Sequence, residues 1–322
     1  LAMSAELGNS YILIAGMGRS GSNRLLDILD TSRRTVCRNE VDEILGSSFG
    51  GIGATLFPED FGPRQLAALQ DAISGAALRR SARDRLDQTD KDYLTGTGRR
   101  VLPVLGKTRV RRLLGPLGLL DGQDEWRVPS PLLAESRLPD ARLVLKLNGT
   151  PAWAAALAQA DPGCRILHNI RAPAAYLQSW YNRFIRNGVG TASFEANFRD
   201  VPRILAHFGR HDADRLAEPV EANLVEVELW RWRYINESLQ SLAAHSDRYL
   251  LLTYSEIEAD LPGSAKRVFD FTELPLDPVE EIRIRSLKNV LFREPHKTSL
   301  DAALCDRLVC TVLEDSPLRS LI

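Results

Sequence analysis

Near the start of the chain, Ile12-Leu13-Ile14-Ala15 reads as a strand and Gly16-Met17-Gly18-Arg19-Ser20-Gly21 as a tight turn, with a helix opening at Ser22-Asn23-Arg24-Leu25-Leu26. Such a turn leaves the backbone N–H groups of the first helical turn unpartnered and places the positive end of the helix dipole beside them. A phosphate-like anion is the natural occupant. Gly16 and Gly21 have Walker A spacing, but Ser22 and Asn23 follow where that motif needs Lys and Ser/Thr, which disfavours magnesium-dependent triphosphate chemistry. The same six residues satisfy GxGxxG, and Glu40 stands where a ribose-binding acid should, so an NAD(P)-dependent oxidoreductase is a rival reading. Against that rival, Thr35 to Arg38 is a short, polar second strand, and the fingerprint gives no reason for Arg19 and Ser20 at the turn. A purely structural glycine turn, or a nucleotide-binding protein without catalysis, is the third reading.

A second basic group lies far along the chain. Arg165 to Ile170 is an apolar run that ends on Arg171, and Pro173 suits the first turn of a following helix, where its missing N–H costs nothing. On that helix Tyr176, Ser179, Arg183 and Arg186 share one face by three-and-four spacing. His168 lies inside the strand and reads as a hydrogen-bonded core histidine. Lys146 ends another apolar run, either as a reactive cation or as a charge capping the sheet. Glu40 is a candidate base, or else a helix N-terminal charge, because Asn39 looks like an N-cap and Asp42 and Glu43 follow it.

These residues need a scaffold of strand ends. Apolar runs at Tyr11–Ala15, Thr35–Cys37, Leu143–Leu147, Arg165–Ile170 and Tyr249–Thr253 read as five strands. Helical periodicity separates them at Asn23–Leu29, Pro151–Gln159, Ala174–Ile185 and Leu224–Ala243. The alternation predicts an α/β fold: three layers around a mostly parallel five-stranded sheet, with ligands at the carboxyl ends of the strands. Residues 46–140 break the rhythm and are expected to form a helical or loop insertion in a single domain spanning 1–322. From Arg79 to Arg112 this span carries eleven Lys or Arg against four Asp. It reads as a solvated face or as a lid or partner surface over an acceptor, and a homodimer interface is a further possibility.

Composition bounds the rest. The chain has 322 residues, 44% of them hydrophobic, enough for a full core, and its 41 Lys+Arg nearly balance 42 Asp+Glu. Global charge therefore points to neither nucleic acid nor an anionic membrane. Cys37, Cys164, Cys305 and Cys310 have no CxxC spacing and no neighbouring His pair, which disfavours zinc or a disulfide framework and suggests a reducing, cytoplasmic setting. No metal is expected. The longest early apolar stretch, Tyr11–Ala15, is far short of the roughly 18 residues of a membrane span, so no span is expected there, and the opening residues do not read as a basic-then-apolar leader, which leaves a removed targeting segment open.

Gly18-Arg19-Ser20-Gly21-Ser22 resembles the 5′-phosphosulfate loop of sulfotransferases, in the Arg-Ser-Gly form of the tyrosylprotein and carbohydrate classes. The resemblance implies 3′-phosphoadenosine 5′-phosphosulfate (PAPS) as co-substrate and adenosine 3′,5′-bisphosphate (PAP) as product. It also implies a P-loop-like fold and a small-molecule or glycan acceptor. By the same resemblance Arg19 and the backbone of Ser20, Gly21, Ser22 and Asn23 hold the 5′-phosphate. Arg171 and Ser179, eight positions later, hold the 3′-phosphate, although Ala172 stands where that motif usually has an acid. Tyr254, in a stretch like the family's Tyr-x-Asp/Glu-Leu, would approach the adenine, and Trp232 with Asn236 resembles a recurrent structural pairing. Cytosolic members place a His two residues after the strand Lys, whereas Asn148 follows Lys146 here. The tyrosylprotein class instead uses a Glu twenty-one positions after the loop Arg and following a Cys, which matches Cys37 and Glu40. Glu40 is thereby implied as general base, with Lys146 stabilising charge in the transition state. Arg293 and Lys297 fall where relatives carry a basic loop over the donor.

Overall fold

The computed structural model describes residues 10–42, 56–76, 79–81, 90–102, 125–185, 198–218, 220–244, 246–291 and 300–321. In chain order the strands are β1 (Tyr11–Ala15), β2 (Thr35–Arg38), β3 (Arg79–Ser81), β4 (Glu125–Arg127), β5 (Arg142–Lys146), β6 (Arg165–Ile170) and β7 (Tyr249–Thr253). The main sheet has the order β2-β5-β1-β6-β7, with every pairing parallel. Both faces of a parallel sheet are covered, so its strands read as nearly continuous apolar runs. That is why the five runs stand out, and each observed strand lies within one residue of its expected span.

Alternation sends neighbouring side chains to opposite faces. Ile12, Ile14, Val144, Leu167 and Leu252 pack with α1 (Ser22–Asp30) and with Val268 and Phe269 of the helix Leu261–Thr272. Leu13, Leu143, Leu145 and Ile166 belong to the other core, with Trp153, Leu177 and Trp230. These come from α2 (Pro151–Ala160), α3 (Pro173–Phe184) and α4 (Glu221–Gln240). The result is helix, sheet, helix, as the alternating pattern implies.

The segment between β2 and β5 departs from the expected solvated helical insertion. It has a helix at Pro63–Ala76, a short one at Gly96–Val101, and an antiparallel pair, β3 with β4, that three-residue strands were too short to announce. Leu56, Phe57, Leu69, Ile73, Tyr93, Leu94 and Leu138 are buried in the same core as the sheet face. Within the basic stretch Lys91 is 2% exposed. Its ammonium pairs with Asp30 at 2.8 Å and donates to the Asp30 and Ser32 carbonyls at 2.7 Å each. Burial lowers its pKa and the Asp30 carboxylate raises it, with a net rise.

His168 is the satisfied core histidine expected. Its Nδ1 lies 2.6 Å from the Tyr249 hydroxyl and its Nε2 2.9 Å from Asn236 Oδ1, while the Asn236 amide donates to the Trp232 carbonyl. Burial pushes its pKa down from 6.5 to about 4. As pH falls the unfolded chain therefore takes up this proton first, so stability is present above pH 6.5 and is lost between there and about pH 4. The loss amounts to about 3 kcal/mol. Urea unfolding of wild type and His168→Gln across that window checks this: the wild type should have the steeper pH dependence, and equal slopes contradict it.

Candidate active site

The glycine turn connects β1 to α1, and its backbone follows from close approach. A Cβ on Gly16 would collide with the Asn169 carbonyl, and one on Gly21 with the Tyr254 ring. Gly21 also has φ 94°, a left-handed conformation suited to glycine. Arg19 holds φ 73°, where a residue with a side chain is uncommon. Such outliers persist only where the surroundings enforce them, and they concentrate at functional sites. No side chain caps α1 and no acid lies in its first turn, so the backbone N–H groups near Ser22 and Asn23 face no competing carboxylate of their own helix. Ser22 is buried and Asn23 exposed. The Ser20 side chain is turned inward, its hydroxyl 3.4 Å from Asn169 Oδ1.

Arg171 and Ser179 arrive from the end of β6 and from α3. Arg19 Nε donates to Ser179 Oγ at 3.2 Å, and Arg171 Nη1 donates to the Arg19 carbonyl at 3.4 Å. The sequence separates two basic groups by some 150 positions; the fold joins them into one patch. Burial lowers the Arg19 pKa, and the neighbouring Arg171 and Arg183 charges lower it further. Arg171 is likewise lowered by burial. Its Nε is buried without an acceptor, and among the described residues neither Arg19 nor Arg171 pairs with a carboxylate. Tyr176 shares a helix with Ser179 but points into the core, where its hydroxyl donates to the buried Glu228.

Tyr254 starts the helix Tyr254–Ala259 after β7. Two guanidiniums lie over its ring, Arg24 at 4.2 Å and Arg171 at 4.5 Å from the centroid. The spacing of Arg24 along α1 marks nothing in the sequence; only the packing of Tyr254 against Gly21 brings it here.

The next strand ends carry the second group. Lys146, 2% exposed in its side chain, sits 3.4 Å from Glu40 Oε1 and donates to Asn148 Oδ1 at 2.9 Å. Residues 41 and 42 are helical, so Glu40 rather than Asn39 flanks that turn, and it has φ 54°. Asp42 fixes the arrangement: one carboxylate oxygen accepts from the Asn148 N–H at 2.7 Å and from the Thr150 hydroxyl at 2.8 Å. Gly149 N donates to the Gly16 carbonyl at 2.9 Å, which fastens the loop after Lys146 to the glycine turn. Arg186, Arg293 and Lys297 lie outside the described residues.

The strand order bears on the dinucleotide reading. In that fold the acid stands at the end of a strand adjacent to the one feeding the glycine turn. Here β5 separates β2 from β1, so Glu40 is one strand removed and faces Lys146 instead. The profile of the sulfotransferase domain matches residues 9–302. The chain belongs to the sulfotransferase family.

Similar solved structures include a sulfotransferase from Mycobacterium tuberculosis, with 14% identity, TM-score 0.49, and coverage of 97% of this chain and 77% of that one. A sulfotransferase from Mycobacterium avium has 14% identity and TM-score 0.44, covering 97% and 78%. A retinol dehydratase in complex with androsterone and the inactive cofactor PAP has 13% identity and TM-score 0.37, covering 98% and 84%. Comparison with curated proteins gives no match. This sulfotransferase therefore transfers a sulfuryl group, and among its described residues no helix is long and apolar enough to cross a membrane.

Proposed function

We propose that the chain moves a sulfuryl group from PAPS to a hydroxyl or amine acceptor by in-line displacement, with Glu40 as general base. The observation that carries this reading is the convergence, at the carboxyl ends of β1 and β6, of an uncapped helix N-terminus with two guanidiniums that pair with no carboxylate among the described residues. A buried donor such as Arg171 Nε calls for an acceptor, and a ligand phosphate supplies one. In this reading Arg19, with the backbone of Gly18, Ser20, Gly21, Ser22 and Asn23, holds the 5′-phosphate and takes up the charge that grows on it as the S–O bond breaks. Arg171 and Ser179 hold the 3′-phosphate, with Tyr254 beside the adenine, and the family resemblance adds Arg293 as a further donor-binding residue. Lys146 stabilises charge on the sulfuryl or bridging oxygen. Glu40, one strand over, removes the acceptor proton.

The pairing of Glu40 with a preceding Cys37, and Asn148 in place of the cytosolic type's imidazole, favour the tyrosylprotein or carbohydrate type over the cytosolic type. The segment 46–140 is then the acceptor side, over a small molecule or glycan. The balanced charge and reduced thiols fit a cytoplasmic enzyme, and a homodimer is compatible with the basic stretch.

Titration calorimetry with adenosine 3′,5′-bisphosphate tests the reading: tight binding in the presence of chelator supports it, and no binding sinks it. Arg171→Ala should weaken that binding by about tenfold or more, because a charge-assisted hydrogen bond contributes roughly 1.5–3 kcal/mol, while turnover at saturating donor stays near wild type. Unchanged donor affinity removes Arg171 from the site.

A further inference from the structure

The amino-terminal end of the sheet, opposite the candidate active site, holds a second concentration of arginine. At the amino ends of β2 and β5 a cleft of about 360 Å³ is lined by Arg33, Arg34, Asp92, Tyr93, Arg137 and Asp140. Arg33 and Arg34 form the turn from α1 to β2, and Arg137 and Asp140 lie on the 3-10 turn Glu135–Asp140 that leads into β5. Strands of four or five residues, rising about 3.3 Å each, place this cleft roughly 15 Å from the glycine turn.

The charges there are unevenly matched. Asp92 is already engaged, 2.9 Å from Arg33 Nη2 and 4.0 Å from Arg99 Nη2. The Arg34 and Arg137 guanidiniums are exposed and make no ion pair among the described residues. Arg33 Nε is buried without an acceptor. Guanidinium groups match the oxygens of a tetrahedral anion in pairs.

We propose that this cleft is a second anion site, which takes a phosphate or sulfate group as the head of a small monoester. The volume favours the monoester over a bare ion, since small-molecule sites begin near 300 Å³. Its placement gives occupancy a consequence. Two stretches of the 46–140 segment, around Tyr93 and around Leu133, run side by side here, with Ala134 N bonded to the Tyr93 carbonyl at 2.8 Å and a bridge between Leu94 and Leu133. The Asp92 N–H also bonds to the Arg33 carbonyl at 3.0 Å. An anion held by Arg33, Arg34 and Arg137 pins these two stretches of the segment to the turn joining α1, which follows the glycine loop, to β2, which leads to Glu40.

The test uses the full chain carrying Arg19→Ala and Arg171→Ala, which removes the basic patch at the carboxyl ends of the strands. Titrations with inorganic phosphate and phenyl phosphate should still show one site, with phenyl phosphate the tighter. Adding Arg34→Ser or Arg137→Ser, both at exposed side chains, should weaken it by about tenfold. Phenyl phosphate no tighter than inorganic phosphate overturns the monoester assignment. Affinity unchanged after both Arg34 and Arg137 are replaced overturns the site. Wild-type crystals soaked in selenate provide a measurement independent of those variants: an anomalous peak within hydrogen-bond reach of Arg34 and Arg137 is expected, and its absence also overturns the site.

Discussion

Glu40→Gln is expected to lower turnover by about 10²–10⁴-fold while binding of adenosine 3′,5′-bisphosphate stays close to wild type. The amide keeps the size and the left-handed backbone of the position, so it adds no strain to the φ of 54° already present. It also leaves Lys146 with a partner, because Asn148 Oδ1 remains 2.9 Å away. What disappears is the ability to accept a proton. A structural role for the Glu40–Lys146 contact predicts a different pattern, lower stability with modest loss of rate, and unfolding curves beside initial rates separate the two. Turnover near wild type would move the base elsewhere.

The second large effect is at Arg19. Arg19→Ala should reduce kcat by about 10²–10³, the usual cost of removing one preorganised donor from a site of developing charge. The backbone argument makes this variant informative. Arg171 bonds to the main-chain carbonyl of residue 19, so that contact survives the truncation, whereas the bond to Ser179 is lost. Alanine at φ 73° retains the conformational cost that Arg19 bears, and Arg19→Gly relieves it. Both variants should therefore be equally slow, with the glycine form the more stable by thermal melting. A kcat that recovers in Arg19→Gly would show that geometry rather than charge is what Arg19 supplies.

How far the fold was legible follows from how far the cause was local. β1 and β6 announce themselves because a strand buried on both faces is apolar throughout, and the glycine turn because close contacts at Gly16 and Gly21 admit no side chain. Glu40, Lys146 and Arg171 were visible as residues ending or following strands. The partnership of Arg19 with Ser179 was not, since the spacing of 160 positions carries no pattern. Arg24 escaped for the same reason: it meets Tyr254 only because β7 lies beyond β6 at the sheet edge. Lys91 misled in the opposite direction. Its basic neighbourhood reads as a wet surface, yet Asp30 and two backbone carbonyls make burial tolerable.

The order of strands across the sheet has a consequence for how the chain acquires its shape. β5 fills the gap between β2 and β1, yet it is synthesised about a hundred residues after β2. A nascent chain that has emerged only as far as Asp140 thus holds two strands of the main sheet, β1 and β2, with nothing to join them, and closure must wait for a long loop to be bridged. Folding should be slow and late, with the apolar strands open to wrong partners in the interval, so expression of this chain should gain more from chaperones than its final stability alone would suggest.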